Sequence, residues 1–197
     1  MLIPKQADQN NRFLAKWRST GRYGLVLDAV AAAVLVFTLT RFALALRVGS
    51  EADWTVGTLL HAAALGLLYD LTVALLLALP LGLLLLALPE RWTRFRSMRV
   101  AVLLAMTGGL FALLFGAASE WFFWTEFSSR FNFIAVDYLV YTTEVIGNIR
   151  ESYPIRWILG ALGGLSLLTT LAFRWRIARR LTTETPLKSR LAWFAAH

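Results

Sequence analysis

Four long apolar runs dominate the chain: Gly24 to Leu46, Gly57 to Leu88, Val100 to Ser119 and Ile155 to Phe173. Wound as an α-helix rising ~1.5 Å per residue, each is long enough to cross a hydrocarbon core ~30 Å thick. The sequence therefore predicts an all-α integral membrane protein with four transmembrane helices. Composition agrees, with 58% hydrophobic and only 16% charged residues and a mean hydropathy of +0.60. The first run is too long, and followed too closely by others, to be a cleaved leader.

What joins the runs decides their direction. Lys5, Arg12, Lys16, Arg18 and Arg22 precede the first run. Arg91, Arg94, Arg96 and Arg99 lie between the second and third, and Arg174, Arg176, Arg179, Arg180, Lys188 and Arg190 follow the fourth. These segments hold fifteen of the twenty Lys and Arg residues. The acids Glu51, Asp53, Glu120, Glu126, Asp137, Glu144 and Glu151 fall in the alternate connectors. Short basic connectors stay in the cytoplasm, so the bias predicts a cytoplasmic tail (1–23) and a cytoplasmic connector (174–197) around a transmembrane domain (24–173). The net charge of +8 is thus a topology signal, and nucleic acid is not an expected partner. Residues 12–23 read either as a segment lying on the membrane surface or as a free basic tail. Arg174 to Arg190 reads as the one flexible boundary, and Leu191 to His197 as the start of a fifth span. The chain has no Cys, which excludes disulfides, thiol redox chemistry and cysteine zinc sites.

Charges inside the runs carry a cost. Asp28 and Arg41 lie near span ends, within reach of an interface. Asp70 is the deepest charge, and an intramembrane carboxylate costs at least ~2.5–3.5 kcal/mol unless paired, solvated or protonated. Arg41 is its candidate partner. Two readings of Asp70 stand together: it joins helices or touches a lipid headgroup, or it is a neutralised packing residue. His61 reads as a packing residue. Pro80 predicts a kink in the second span. Gly108, Gly109, Ala112 and Gly116, and the pair Gly160 and Gly164, form small faces suited to close helix approach.

The stretch from Glu120 to Pro154 is neither an apolar run nor a basic connector. It opens with Trp121, Phe122, Phe123, Trp124 and Phe127, rings that suit the headgroup level. Glu126 and Arg130 follow at a four-residue spacing that lets opposite charges meet on one helix face. Asp137, Tyr141, Glu144, Asn148 and Glu151 then form a polar stripe, with Leu139, Thr142, Ile146 and Ile149 opposite. The pattern predicts an amphipathic interfacial helix between spans three and four, acidic face toward water or another domain. Regularly spaced acids on one face more often mark a wet surface than a catalytic pair.

The run Glu126-Phe-Ser-Ser-Arg130-Phe-Asn-Phe-Ile-Ala-Val-Asp137-Tyr138-Leu, continuing to Glu144-Val-Ile-Gly-Asn148, resembles the membrane part of bacterial sulfatase-like hydrolase/transferases. These are relatives of lipoteichoic acid synthase and the periplasmic-glucan phosphoglycerol transferases. Tyr69-Asp70 resembles a recurrent pair in the same family, and the layout is similar along the whole chain. The resemblance implies the inner membrane of a bacterium and a large extracytoplasmic catalytic domain after the spans. It also implies lipid partners that include phosphatidylglycerol headgroups, and contact roles for Tyr69, Asp70, Glu126, Arg130, Asp137 and Glu144. The family's metal-bound threonine nucleophile, with its divalent metal, would belong to the catalytic domain. The residues themselves suggest no catalysis by this chain alone and no cofactor: the two histidines, His61 and His197, stand far apart and no catalytic or nucleotide motif is present. A positional membrane-anchoring role is the expectation. The alternatives are a small transporter or channel subunit using Asp70, and a scaffold acting through its glycine faces.

Overall fold

The computed structural model describes residues 21–49, 55–133, 136 and 142–183. A 3-10 turn (Gly21–Tyr23) leads into α1 (Gly24–Val48). Then come α2 (Val56–Ala87), the short α3 (Glu90–Thr93) and α4 (Arg96–Phe127). α5 (Thr142–Ser152), α6 (Ile155–Ala172) and α7 (Arg174–Thr182) complete the described chain, which contains no strand among these residues. Four helices are long and apolar enough to cross a membrane: α1 with its leading turn, α2, α4 and α6. The protein is an all-α, multi-pass membrane protein. The expected start of a fifth span lies outside the described residues.

Side-chain exposure is inverted relative to a water-soluble bundle. Leu35, Leu39, Phe42, Leu60, Leu68 and Leu76 are all more than half exposed along α1 and α2. An apolar perimeter of that extent is what lipid tails cover. Trp157, near the start of α6, and Trp175, just beyond its end, point outward at 81% and 73% exposure. They bracket the last span as an aromatic belt does.

Helix ends have local causes. Thr55 caps α2, its Oγ1 accepting from the Thr58 N–H at 3.3 Å. Pro89 and Pro154 stand immediately before α3 and α6, where a missing N–H costs nothing. α2 remains helical through Pro80. α4 runs farther than the apolar run predicts, through the whole aromatic cluster, because nothing between Ser119 and Phe127 breaks a helix. It stops at Ser128, which adopts φ 49° and donates its N–H to Trp124 O. A non-glycine residue in that region costs about 1–2 kcal/mol. Ring contacts of Phe123 with Phe127 (4.6 Å) and Phe131 (5.0 Å) offset that cost in the turn.

Packing is concentrated at one end. α1 packs on α2 and α4, and α4 packs on α6. The buried core comprises Tyr23, Leu25, Val26, Val30 and Ala33 of the first span with Ala74, Ala78, Leu85 and Leu88 of the second. Val102 of α4 and Ile177 and Leu181 of α7 close it. We call this the basic end, because Arg22, Arg91, Arg94, Arg96, Arg99 and the arginines of α7 collect there. At the far end, α1 stops at Val48, α2 begins at Val56 and α4 stops at Phe127, and the helices leave a cleft.

α7 departs from expectation. The basic connector is not a loose boundary up to Thr182. Ile177 and Leu181 are four apart on one face and both are buried. Arg176 and Arg180, four apart on the neighbouring face, clasp Asp28. Arg176 Nη2 and Nε donate at 2.7 and 3.1 Å, and Arg180 Nη1 lies at 3.3 Å. Donation to Asp28 raises the Arg176 pKa, while desolvation lowers that of Arg180 against the pull of Asp28. A Cβ on Gly24 would overlap the Arg180 guanidinium, so the glycine makes room for the clasp. Close by, the fully buried Arg22 donates to Leu85 O (3.2 Å) and Leu88 O (2.7 Å) and lies 3.6 Å from Glu90. A cation at these carbonyls satisfies the end of α2 and opposes its negative dipole end.

A charge-paired cleft at the far end of the bundle

Arg41 sits seven residues before the end of α1, about 10 Å along the helix axis. Asp70 sits fourteen residues into α2, about 21 Å. Their depths differ, so Arg41 must reach inward, and the backbone of α2 permits it. A Cβ on Gly66 would overlap the guanidinium; with hydrogen there, Arg41 lies flat against the helix. Its Nη2 donates to Asp70 Oδ1 at 2.6 Å and to Gly66 O at 3.0 Å. The Asp70 side chain is 8% exposed and that of Arg41 27%, so the pair is largely withdrawn from solvent. The other carboxylate oxygen, Asp70 Oδ2, is buried and has no hydrogen-bond partner.

A second ion pair faces the same space. After the Ser128 turn, Arg130 folds back and donates through Nε to Glu120 Oε1. The i to i+4 pairing of Glu126 with Arg130 does not form, because α4 ends at Phe127 and Arg130 leaves the helix face. Glu126 accepts from Tyr153 Oη instead, at 2.7 Å. That bond, with the burial of the phenol and the Glu126 charge, raises the Tyr153 pKa above its ordinary 10.0, and Arg47 opposes the shift. Phe122 packs on the Tyr153 ring at 4.6 Å. Arg47 meanwhile bridges α1 and α4, donating to Thr125 Oγ1 at 3.0 Å and lying 4.9 Å above the Trp121 ring.

The two ion pairs line one cleft of about 550 Å³, together with Tyr69, Phe37, Ala62, Gly66 and Val73. Of the residues singled out in the sequence, Tyr69, Asp70 and Arg130 meet there. Glu126 belongs to the neighbouring Tyr153 contact. Glu144 is exposed on α5, away from the cleft. Asp137 lies outside the described residues. Sequence reasoning did not associate Glu120 with Arg130 or assign Gly66 a role; a glycine four residues before an intramembrane acid was the available signal.

Other expectations meet a different arrangement. His61 is exposed on α2 rather than packed. A Cβ on Gly108, Gly109, Gly116, Gly160 or Gly164 would meet nothing within 4 Å, so these faces are not the close contacts of the bundle. Among the described residues no three His, Cys, Asp or Glu side chains form a group that could hold a metal ion. No family model, curated protein or solved structure matches the chain.

Proposed function

We propose that this chain is the membrane-anchoring module of a sulfatase- or phosphoglycerol-transferase-like protein, and that it positions an extracytoplasmic catalytic domain over the outer leaflet. The basic end faces the cytoplasm of a bacterial cell, as the arginine bias favours. The far end faces outward. The proposal assigns no chemistry to the spans; catalysis, and any divalent metal, belongs to the other domain.

One observation supports this reading above the rest. The segment between α4 and α6 is tied to the top of α4 at both its ends, by Arg130 to Glu120 and by Tyr153 to Glu126. Between these ties α5 exposes Glu144, Asn148 and Glu151. Ile146 and Ile149, about 40% exposed, are available to the lipid surface. A helix that follows one tie and precedes the other, with its acids outward, offers a seat for a neighbouring domain. Photocrosslinking from position 144 in intact cells tests it. The expected product joins this chain to a catalytic domain with metal ligands, on the same polypeptide or another. Crosslinks to lipid alone would remove the support.

A transporter or channel subunit working through Asp70 is the second reading, favoured by its unpartnered buried oxygen. Beyond the cleft, however, Ala33, Ala74, Ala78 and Leu85 fill the space between the first two spans. Ion or solute flux in liposomes that disappears in Asp70→Asn would establish the transport reading over the anchoring one.

A further inference from the structure

We propose that the far-end cleft binds the headgroup of a zwitterionic phospholipid carrying a phosphodiester and a primary ammonium. The inference rests on the membrane reading of the four spans and not on the seat for another domain.

Asp70 supplies the first reason. A buried carboxylate oxygen without a donor is costly, and more so where no water competes. Arg41 does not satisfy it, because Nη2 is shared between Asp70 Oδ1 and Gly66 O and Oδ2 is left over. A donor from outside the described chain would complete the carboxylate's bonding. A primary ammonium brings three N–H donors and a positive charge in a small volume.

Arg130 supplies the second. Among the described residues it makes one bond, through Nε, and its side chain is 54% exposed. The remaining edge of the guanidinium presents paired donors of the geometry that phosphate oxygens accept. Donor and acceptor needs thus stand on opposite walls of one cleft: Asp70 on α2, Arg130 on the turn after α4.

Charge balance selects among headgroups. Arg41 and Arg130 oppose Asp70 and Glu120, so the four lining charges sum to zero. A zwitterion leaves that balance intact. An anionic headgroup would leave one uncompensated negative charge in a poorly screened site. A quaternary ammonium keeps the charge but offers no N–H to Asp70 Oδ2.

The surroundings favour a lipid over a soluble molecule. Tyr69 is 67% exposed, and with Phe37 and Val73 it carries the cleft wall onto the apolar perimeter where acyl chains lie.

The test is native mass spectrometry of the full chain released from nanodiscs containing equal amounts of phosphatidylethanolamine, phosphatidylcholine and phosphatidylglycerol. The wild type is expected to retain phosphatidylethanolamine about tenfold over each of the others, equivalent to ~1.4 kcal/mol. Asp70→Asn lowers phosphatidylethanolamine to the phosphatidylcholine level. Arg130→Gln, at an exposed rim, lowers retention of both phosphate-bearing zwitterions with unchanged helix content, and it decides the matter if Asp70→Asn misfolds. Equal retention of the three lipids, a preference for phosphatidylglycerol, or phosphatidylethanolamine retention left unchanged by Arg130→Gln would overturn the proposal. None of these readouts depends on a crosslink from position 144.

Discussion

Arg41 lies against Gly66 so closely that a single methyl group there would occupy the place of the guanidinium. The cation reaches Asp70 because the helix face between them is bare. One consequence is energetic coupling between a glycine and an arginine on different spans. Gly66→Ala should displace Arg41 and cost about as much as Arg41→Gln. In a double-mutant cycle the two changes should couple by about 1–2 kcal/mol. Reversible unfolding in mixed micelles measures this; additive effects would mean that Arg41 finds Asp70 by another route.

Separating the pair should be asymmetric. Arg41→Met leaves a buried anion and should destabilise by about 3 kcal/mol, the scale of a broken buried pair. Asp70→Asn leaves a cation that is partly exposed and can turn toward the interface, so its cost should be smaller. The double variant should recover part of the Arg41→Met loss. The same unfolding assay reads all three.

At the basic end, Asp28→Asn should release α7. The clasp comprises three contacts from two arginines, two of them charge-assisted hydrogen bonds. Faster trypsin cleavage between Arg174 and Arg180 is the expected signature. Ile177→Ala should have a similar effect and cost about 2–4 kcal/mol, because it empties a packed position in the core. Unchanged cleavage in both variants would contradict the docking of α7.

Tyr153 gives a pH dependence with a definite sign. Its folded pKa is raised, so the stability it contributes is complete below the ordinary value of 10.0 and is lost as pH rises through the folded value. Neutral pH should leave this contribution intact. Absorbance titration compared with Tyr153→Phe should show Tyr153 ionising late, and Glu126→Gln should move it back toward its ordinary range.

Orientation can be measured cleanly because the chain has no cysteine of its own. Single cysteines at positions 94, 144 and 179 should partition in intact cells. Position 144 should react with an impermeant maleimide, and the other two only after permeabilisation. The opposite pattern would invert the topology and end the proposed function.

The four described spans were legible in the sequence because burial in lipid is a property of each helix alone. Twenty apolar residues satisfy the bilayer whatever their neighbours do, so hydropathy suffices. The Arg41–Asp70 pair was legible for a related reason: an intramembrane acid needs a counterion, and few were on offer. The fold-back of Arg130 was not legible. Its spacing from Glu126 suited a helix, and only the left-handed Ser128 turn, held by ring packing, sends it to Glu120. α7 looked like a loose connector because its arginines outnumber the two apolar residues that dock it.

By itself, then, the amino-acid order determined which segments enter the membrane, which connectors are basic, and that Asp70 must be compensated. Those outcomes follow from transfer between water and hydrocarbon, a cost each segment meets on its own. The tertiary structure alone decided that two ion pairs share one cleft, that Gly66 and Gly24 admit guanidinium groups, and that Asp28 fastens α7. These depend on how helices distant in the chain rotate and approach one another, and spacing along a single helix carries no record of that.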